Sequence, residues 1–295
     1  MIAETYDEKT VQTLKSKARE IRRILITSGF GHTAGTLSMA DLAAALYFYK
    51  MKLDPKNPKW PERDRLVMGK AHCAGAVYGA LALAGYFPKE RWIPLYGGNK
   101  AHPDGWRTPF QGHTDAWACP GIDFSGGSLG QGLGFACGLA LGAQIKAKKD
   151  PMGFPSPSYR VYCIMGDGET QEGLVWESAM FAGQYRLSNL VNIIDYNKYN
   201  VGGPTSEHMT LEPLVDKWKA FGWYVVEMNG NDMYDIVRTL DAVDNIIDKP
   251  KYIISHTVKG KGVPSFEFSH THGGSLNEAD TRDALGTYLA GIPEE

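Results

Sequence analysis

Cysteine is scarce in this 295-residue chain: Cys73, Cys119, Cys137 and Cys163 are scattered, with no C-x-x-C pair. The sequence therefore offers no disulfide framework, and the pattern suits a reducing cytosol, so a cytoplasmic protein is expected. Cys137 and Cys163 lie in apolar surroundings and read as small core residues. Charge of one sign is also lacking. With 31 Lys and Arg against 33 Asp and Glu, the formal net charge of −2 gives no reason to expect nucleic-acid or membrane binding. A long membrane-type run is missing as well. The most apolar stretch, Leu129 to Ile145, is short for a span and rich in Gly and Ala, so it reads as a closely packed helix. The first ten residues carry no basic region followed by an apolar run, so no signal peptide is expected. There is no internal repeat, low-complexity tract or composition shift. One domain over residues 1–295 is the expectation.

What is present centres on Tyr159 to Tyr199. An apolar run (Val161, Cys163, Ile164, Met165) ends at Gly166-Asp167-Gly168. A helical stretch follows, with Leu174, Ala179, Ala182 and Tyr185 as its expected inward positions. A second apolar run (Leu190, Val191, Ile193, Ile194) ends at Asp195-Tyr196-Asn197. Two strands joined by a helix form a parallel, right-handed unit. Asp167 and Asn197 then stand at the carboxyl ends of two strands, where open α/β sheets bind ligands. Both are hard oxygen ligands suited to Mg²⁺ or Ca²⁺. Gly166 and Gly168 allow close backbone approach, and a helix beginning near Glu169 would aim N–H groups at an anion. A metal-bridged diphosphate is one reading; an ordinary strand-end Asp capping a helix is the other.

The rest of the chain alternates in the same way. Asp7 to Thr27 has the spacing of an amphipathic helix. A glycine turn carries His32, a solvent-facing loop residue on its own merits, and a second helix starts near Ser38, its expected N-cap. Arg65 to Met68 reads as a strand leading to His72 and a small-residue helix. Trp92 to Asp123 is irregular, contains His113, and runs into Ser125-Gly126-Gly127-Ser128-Leu129-Gly130. A long irregular segment in a compact chain is often functional. Trp223 to Met228 and Lys251 to Val258 read as strands. Between them lies a helix from Met233 to Asp248, with Ile236, Leu240, Val243 and Ile247 on one face. The tail from Asn277 reads as a helix. This alternation implies an α/β fold with a mostly parallel sheet flanked by helices.

GDG with an Asn thirty positions after its Asp, each preceded by an apolar run, resembles the thiamine diphosphate motif of transketolase-type enzymes. Further segments match in order. GHTAG at His32 is similar to the family's GHPG, and KAH at His72 to its NGH, with the Asn replaced by Lys70 or shifted to Ala71. GHTD at His113 is similar to GHPE, and SGGSLGQG to TTGPLGQG, with Ser128 in place of the usual Pro. Lys259-Gly260-Lys261-Gly262 followed by His272-Gly273 is similar to the glycine-rich segment and HG. The matches run from about His32 to His272.

The resemblance implies one thiamine diphosphate-binding domain. Asp167, Asn197 and the Tyr199 carbonyl would hold Mg²⁺ or Ca²⁺. Gly127, Ser128, Leu129, Gly166, Gly168, His72 and His272 would contact the cofactor. His32, His72, His113 and His272 would surround the thiazolium carbon or the diphosphate, with His270 as the alternative to His272. His270 and His272 could instead form a metal site, but no further ligand cluster lies nearby. Histidine suits a site that must bond a sugar hydroxyl and move protons near neutral pH. Glu172 would be an interface acid coupled to a partner; on position alone it is an acid favoured by a helix dipole.

The family's pyrimidine-binding half has no counterpart here. The resemblance therefore implies the N-terminal subunit of a split transketolase, a transferase of aldehyde or ketone residues. It would work on ketose and aldose sugar phosphates only with a C-terminal subunit, in an α2β2 assembly. The helix from Leu129 is a surface for close packing between subunits or inside the chain. The alternatives are an α-type subunit of another thiamine diphosphate enzyme and a non-catalytic subunit that kept the fold. Tyr96 to Trp117 could line a substrate channel.

Overall fold

The computed structural model describes residues 7–28, 32–89, 110–148, 158–267 and 286. Helix α1 (Glu8–Ser28) is followed by two short helices, α2 (Thr33–Leu37) and α3 (Ala40–Ala45), the latter extended by a wider turn to Lys50. Strand β1 (Arg65–Met68) leads through a tight turn into α4 (Ala74–Ala84). After α5 (Gln131–Lys148) come β2 (Val161–Gly166), α6 (Gly173–Gln184) and β3 (Leu190–Tyr196). The chain continues through α7 (Thr205–His208), α8 (Leu214–Ala220), β4 (Tyr224–Asn229), α9 (Met233–Ala242) and β5 (Lys251–His256).

Among the described residues the five strands are parallel, in the order β1-β2-β3-β5-β4. The apolar runs fold as strands because both faces of the sheet are covered. On β2, Tyr162 and Ile164 face one core, with α1, α3, α4 and α9. Val161, Cys163 and Met165 face the other, with α5, α6 and α8. The α1 periodicity resolves as expected: Val11, Leu14, Ala18, Ile21 and Leu25 are buried. Each such Leu or Ile contributes roughly 1.5–3 kcal/mol of apolar burial. Gly132 lets α5 approach β1: a Cβ there would lie 2.6 Å from the Gly69 Cα.

Several expectations are corrected. Ser38 does not cap a helix start. It ends α2, and Met39 precedes α3. Its hydroxyl donates to the Gly35 carbonyl at 2.8 Å and to Asp195 at 2.6 Å, which draws it inward. Leu174 and Tyr185 are exposed, while Val175, Ser178, Ala179 and Ala182 form the buried face of α6. The helix after β4 stops at Ala242 and tightens into one turn over Val243–Asn245, which leaves Ile247 81% exposed. No α-helix starts at Glu169: Gly168–Gln171 is a tight turn, and α6 begins at Gly173. The tail helix, most of Trp92 to Asp123, His270 and His272 lie outside the described residues.

Candidate functional site

The carboxyl ends of β1, β2, β3 and β5 open onto one cavity of about 490 Å³. Of the residues expected there, His32, His72, His113, Gly127, Leu129, Gly166, Asp167, Gly168, Asn197 and Tyr199 line it. They come from segments more than 160 positions apart. Ser128 and Glu172 do not line it; both are exposed. The stem of Glu172 instead lies under the turn at Gly130, whose φ of +83° suits glycine and whose added Cβ would stand 2.8 Å from the Glu172 Cβ.

Asp167 is 2% exposed. Its carboxylate accepts from the backbone N–H of Gly168 at 2.7 Å and of Lys198 at 2.5 Å. Burial, with the nearby Asp195 charge second, pushes its pKa up to about 7. A buried carboxylate held in this way is stabilised by an incoming cation. Asn197 donates its side-chain N–H to Asp195 at 3.1 Å, and its amide oxygen accepts from the Tyr199 N–H at 3.1 Å. Lys198 between them takes the left-handed conformation, φ 67°, which turns the chain sharply after β3.

The imidazoles of His32, His72 and His113 gather at one side of the cavity. The His32 ring lies 5.1 Å from that of His72 and 6.2 Å from that of His113. Burial, and then the neighbouring His113, lowers the His32 pKa, so His32 is neutral at pH 7. Tyr78 donates to the His113 carbonyl at 2.9 Å and fixes that loop against α4.

Four buried charged side chains carry roles that sequence reasoning missed. Lys70 forms an ion pair with Asp195 beneath the cavity. Burial opposes its charge, but Asp195 holds its pKa above the ordinary lysine value. Glu169 accepts from the N–H groups of Gly130 at 3.0 Å and Gly166 at 3.1 Å, joining the start of α5 to the end of β2. Burial raises its pKa to about 7. Lys259 is 1% exposed, and its Nζ has no hydrogen-bond partner among the described residues. It lines the cavity, 5.5 Å from the centre of the Tyr199 ring. Burial, and then Lys70, lowers its pKa. The Gly260 N–H donates to the Ala34 carbonyl at 2.9 Å, docking this turn on α2. The only sequence signals were Lys70 beside His72 and the K-G-K-G run. His208 also lines the cavity.

A buried ammonium without a partner needs an anion, and a buried carboxylate with a raised pKa needs a cation. These two needs meet in one cavity walled by Gly127, Gly166 and Gly168. The donor set fits a diphosphate bound with a hard divalent cation. The described residues hold no cluster of three or more His, Cys, Asp or Glu side chains that would make a different metal site. Fold and cavity together define a parallel α/β domain whose strand ends carry a cavity suited to an anionic ligand.

Comparison with known proteins gives the family. The model described as "Transketolase, thiamine diphosphate binding domain" matches residues 14–289, so the chain belongs to the transketolase family through that domain. It is 43% identical over 253 residues to the 6-deoxy-6-sulfo-D-fructose transketolase subunit of Clostridium sp. (strain MSTE9), covering 84% of this chain and 86% of that protein. It is 40% identical over 261 residues to one subunit of the apulose-4-phosphate transketolase of Phocaeicola vulgatus, covering 87% and 86%. Among solved structures, transketolase from Pichia stipitis in complex with sedoheptulose 7-phosphate superposes with a TM-score of 0.83 at 29% identity. That match covers 98% of this chain and 42% of the other, so this chain spans less than half of that transketolase.

Proposed function

We propose that the chain is the diphosphate-binding subunit of a transketolase. It would transfer a two-carbon ketol unit from a ketose to an aldose, as sugar phosphates or similar anions, once joined by a subunit carrying the pyrimidine-binding half. The observation that carries this reading is that buried Asp167 and buried Lys259, whose Nζ has no hydrogen-bond partner among the described residues, line the same cavity. Asp167, the Asn197 amide oxygen and the Tyr199 carbonyl would hold Mg²⁺ or Ca²⁺, whose charge would offset that of the diphosphate. Lys259, Gly127, Leu129, Gly166, Gly168 and His72 would hold the diphosphate itself. Ser128, between the cavity-lining Gly127 and Leu129, would contribute through its backbone.

Thiamine diphosphate, when bound, supplies the carbon nucleophile and electron sink for breaking a C–C bond beside a ketone. The chain's own side chains orient and move protons. His32, neutral near pH 7, is suited to accept a proton from a sugar hydroxyl and return it. His72 and His113 stand beside it to bond neighbouring oxygens. His272 is the further histidine on this reading, with His270 as its alternative.

Two observations support a partner chain. The relatives that match over most of their length are themselves named as subunits. The adjoining helices α5 and α6 expose Phe135, Ile145, Leu174, Met180, Phe181 and Tyr185, and nothing lies within 4 Å of a Cβ built at Gly138, Gly142 or Gly173. Exposed apolar surface of this extent marks an interaction face. Glu172 stands at its edge, consistent with an interface acid, and an α2β2 assembly would bury the face. We place residues 1–295 in one domain, supported by the single sheet. We place the protein in the cytoplasm, supported by four buried free thiols.

The test is reconstitution. The chain and a companion carrying the pyrimidine-binding half are mixed with thiamine diphosphate, Mg²⁺, a ketose donor and an aldose acceptor. Ketol transfer by the mixture and not by either chain alone is the expected result. Equal transfer by this chain alone, or none by a mixture that does bind cofactor, would overturn the proposal.

A further inference from the structure

Asp195, the penultimate residue of β3, pairs opposite Gly166 and is buried. It accepts four side-chain hydrogen bonds: from Ser38 at 2.6 Å, from Asn197 Nδ2 at 3.1 Å, and from Lys70 and Thr257. These donors come from the junction of α2 and α3, the turn after β1, the turn after β3 and the segment after β5. Lys70 also donates to the Gly35 carbonyl at 3.1 Å, so the ion pair is fixed at both ends. Asp195 does not itself line the cavity, but Lys70 and Asn197, which donate to it, do.

We infer that Asp195, ion-paired with Lys70 and accepting from the Asn197 amide N–H, is a positioning residue that decides which end of the Asn197 side chain would face a metal. An ionised carboxylate offers only acceptors, and an amide has one donor end and one acceptor end. Asp195 therefore draws the Asn197 NH₂ inward, and the amide oxygen is left on the side of the Tyr199 N–H and the cavity. The reversed amide would press two N–H groups toward a cation. Lys70 stands where the resemblance expects the family's Asn, so in this chain the orientation of Asn197 rests on a buried charge pair. A residue behind a metal ligand typically changes cation affinity by about 10–100-fold.

This inference rests on the diphosphate–metal reading, and one experiment separates the two. Mn²⁺ binding to the full chain at saturating thiamine diphosphate is followed by electron paramagnetic resonance, with folding checked by circular dichroism. Asp195→Asn, whose amide offers both a donor and an acceptor, is expected to weaken Mn²⁺ binding at least about tenfold. The same substitution is then made beside Asn197→Asp, whose two oxygens make orientation irrelevant. There it is expected to change affinity by no more than about twofold. An equal loss in both backgrounds would mean that Asp195 only holds the loop, and no loss in either would mean that it does nothing; each result overturns the inference. If Asp195→Asn alone does not fold, Lys70→Met with Asp195→Asn, which leaves no lone buried charge, carries the same comparison. Failure of the unmodified chain to bind Mn²⁺ with thiamine diphosphate would remove the metal reading and this inference with it.

Discussion

The backbone N–H of Lys198 donates to the Asp167 carboxylate at 2.5 Å, so the turn after β3 is tied to the end of β2. Lys198 adopts φ 67° to make that bond. A left-handed backbone costs a non-glycine residue roughly 1–2 kcal/mol. Lys198→Gly is therefore expected to leave stability within about 1 kcal/mol, because relief of strain offsets the extra freedom of the unfolded chain. Lys198→Val is expected to destabilise by about 1–3 kcal/mol and to weaken cofactor binding. Urea unfolding and calorimetry on both variants check this.

Asp167 sets binding against stability. Its pKa is raised to about 7 by burial, so below its ordinary value near 3.8 it is protonated in both the folded and unfolded states. Above 7 it must be buried ionised, and folding loses the difference. Asp167→Asn is therefore expected to raise the melting temperature of the cofactor-free chain at pH 8, by a stability gain on the order of 1–3 kcal/mol. It is also expected to abolish Mg²⁺-dependent binding of thiamine diphosphate.

Glu169 gives a second pH dependence of the same sign. Its pKa rises from 4.5 to about 7 through burial. The folded state thus holds a proton that the unfolded state has released between those values, and stability falls as pH rises across that window. In Glu169→Gln this part of the slope is expected to disappear. Denaturant unfolding of both proteins at pH 5 and pH 8 measures it. An unchanged slope contradicts the assignment.

Lys259 is buried without a partner among the described residues. Lys259→Met is expected to maintain or raise thermal stability, since it removes an uncompensated charge. It is also expected to weaken thiamine diphosphate binding by about tenfold or more, as the loss of one charge-assisted hydrogen bond predicts. A loss of both stability and affinity would point to a structural lysine.

Met180 tests the exposed face of α6. It is 58% exposed, so Met180→Asp is expected to shift the chain's own stability by no more than about 0.5 kcal/mol. Ketol transfer in the two-chain mixture should need a higher partner concentration. Sedimentation of the mixture separates lost assembly from lost chemistry.

The pattern of apolar runs made β2 and β3 legible, and with them the placement of Asp167 and Asn197, because a strand covered on both faces has a continuous apolar signature. Periodicity misjudged Leu174 and Tyr185 for a related reason. α6 is apolar nearly all round, and a 3.6-residue period does not tell a face kept for a partner from a face kept for the core. Ile247 was misjudged because the tight turn at Val243 shifts everything after it off the helical stripe. The network under the cavity was not legible at all. Ser38 and Asp195 are 157 positions apart, and Lys70 and Asp195 are 125 apart. Only the parallel sheet brings them together, and an Asp at the end of an apolar run carries no mark of the lysine it will meet.

The central claim is that a divalent cation on Asp167 and Asn197 anchors a diphosphate in this chain. Calorimetric titration of the full chain with thiamine diphosphate, with and without Mg²⁺, tests it most directly when run beside Asp167→Ala. Binding is expected to appear with Mg²⁺, to be lost on chelation, and to be absent from a folded Asp167→Ala chain. Binding of equal strength without the metal, or undiminished in Asp167→Ala, would contradict it.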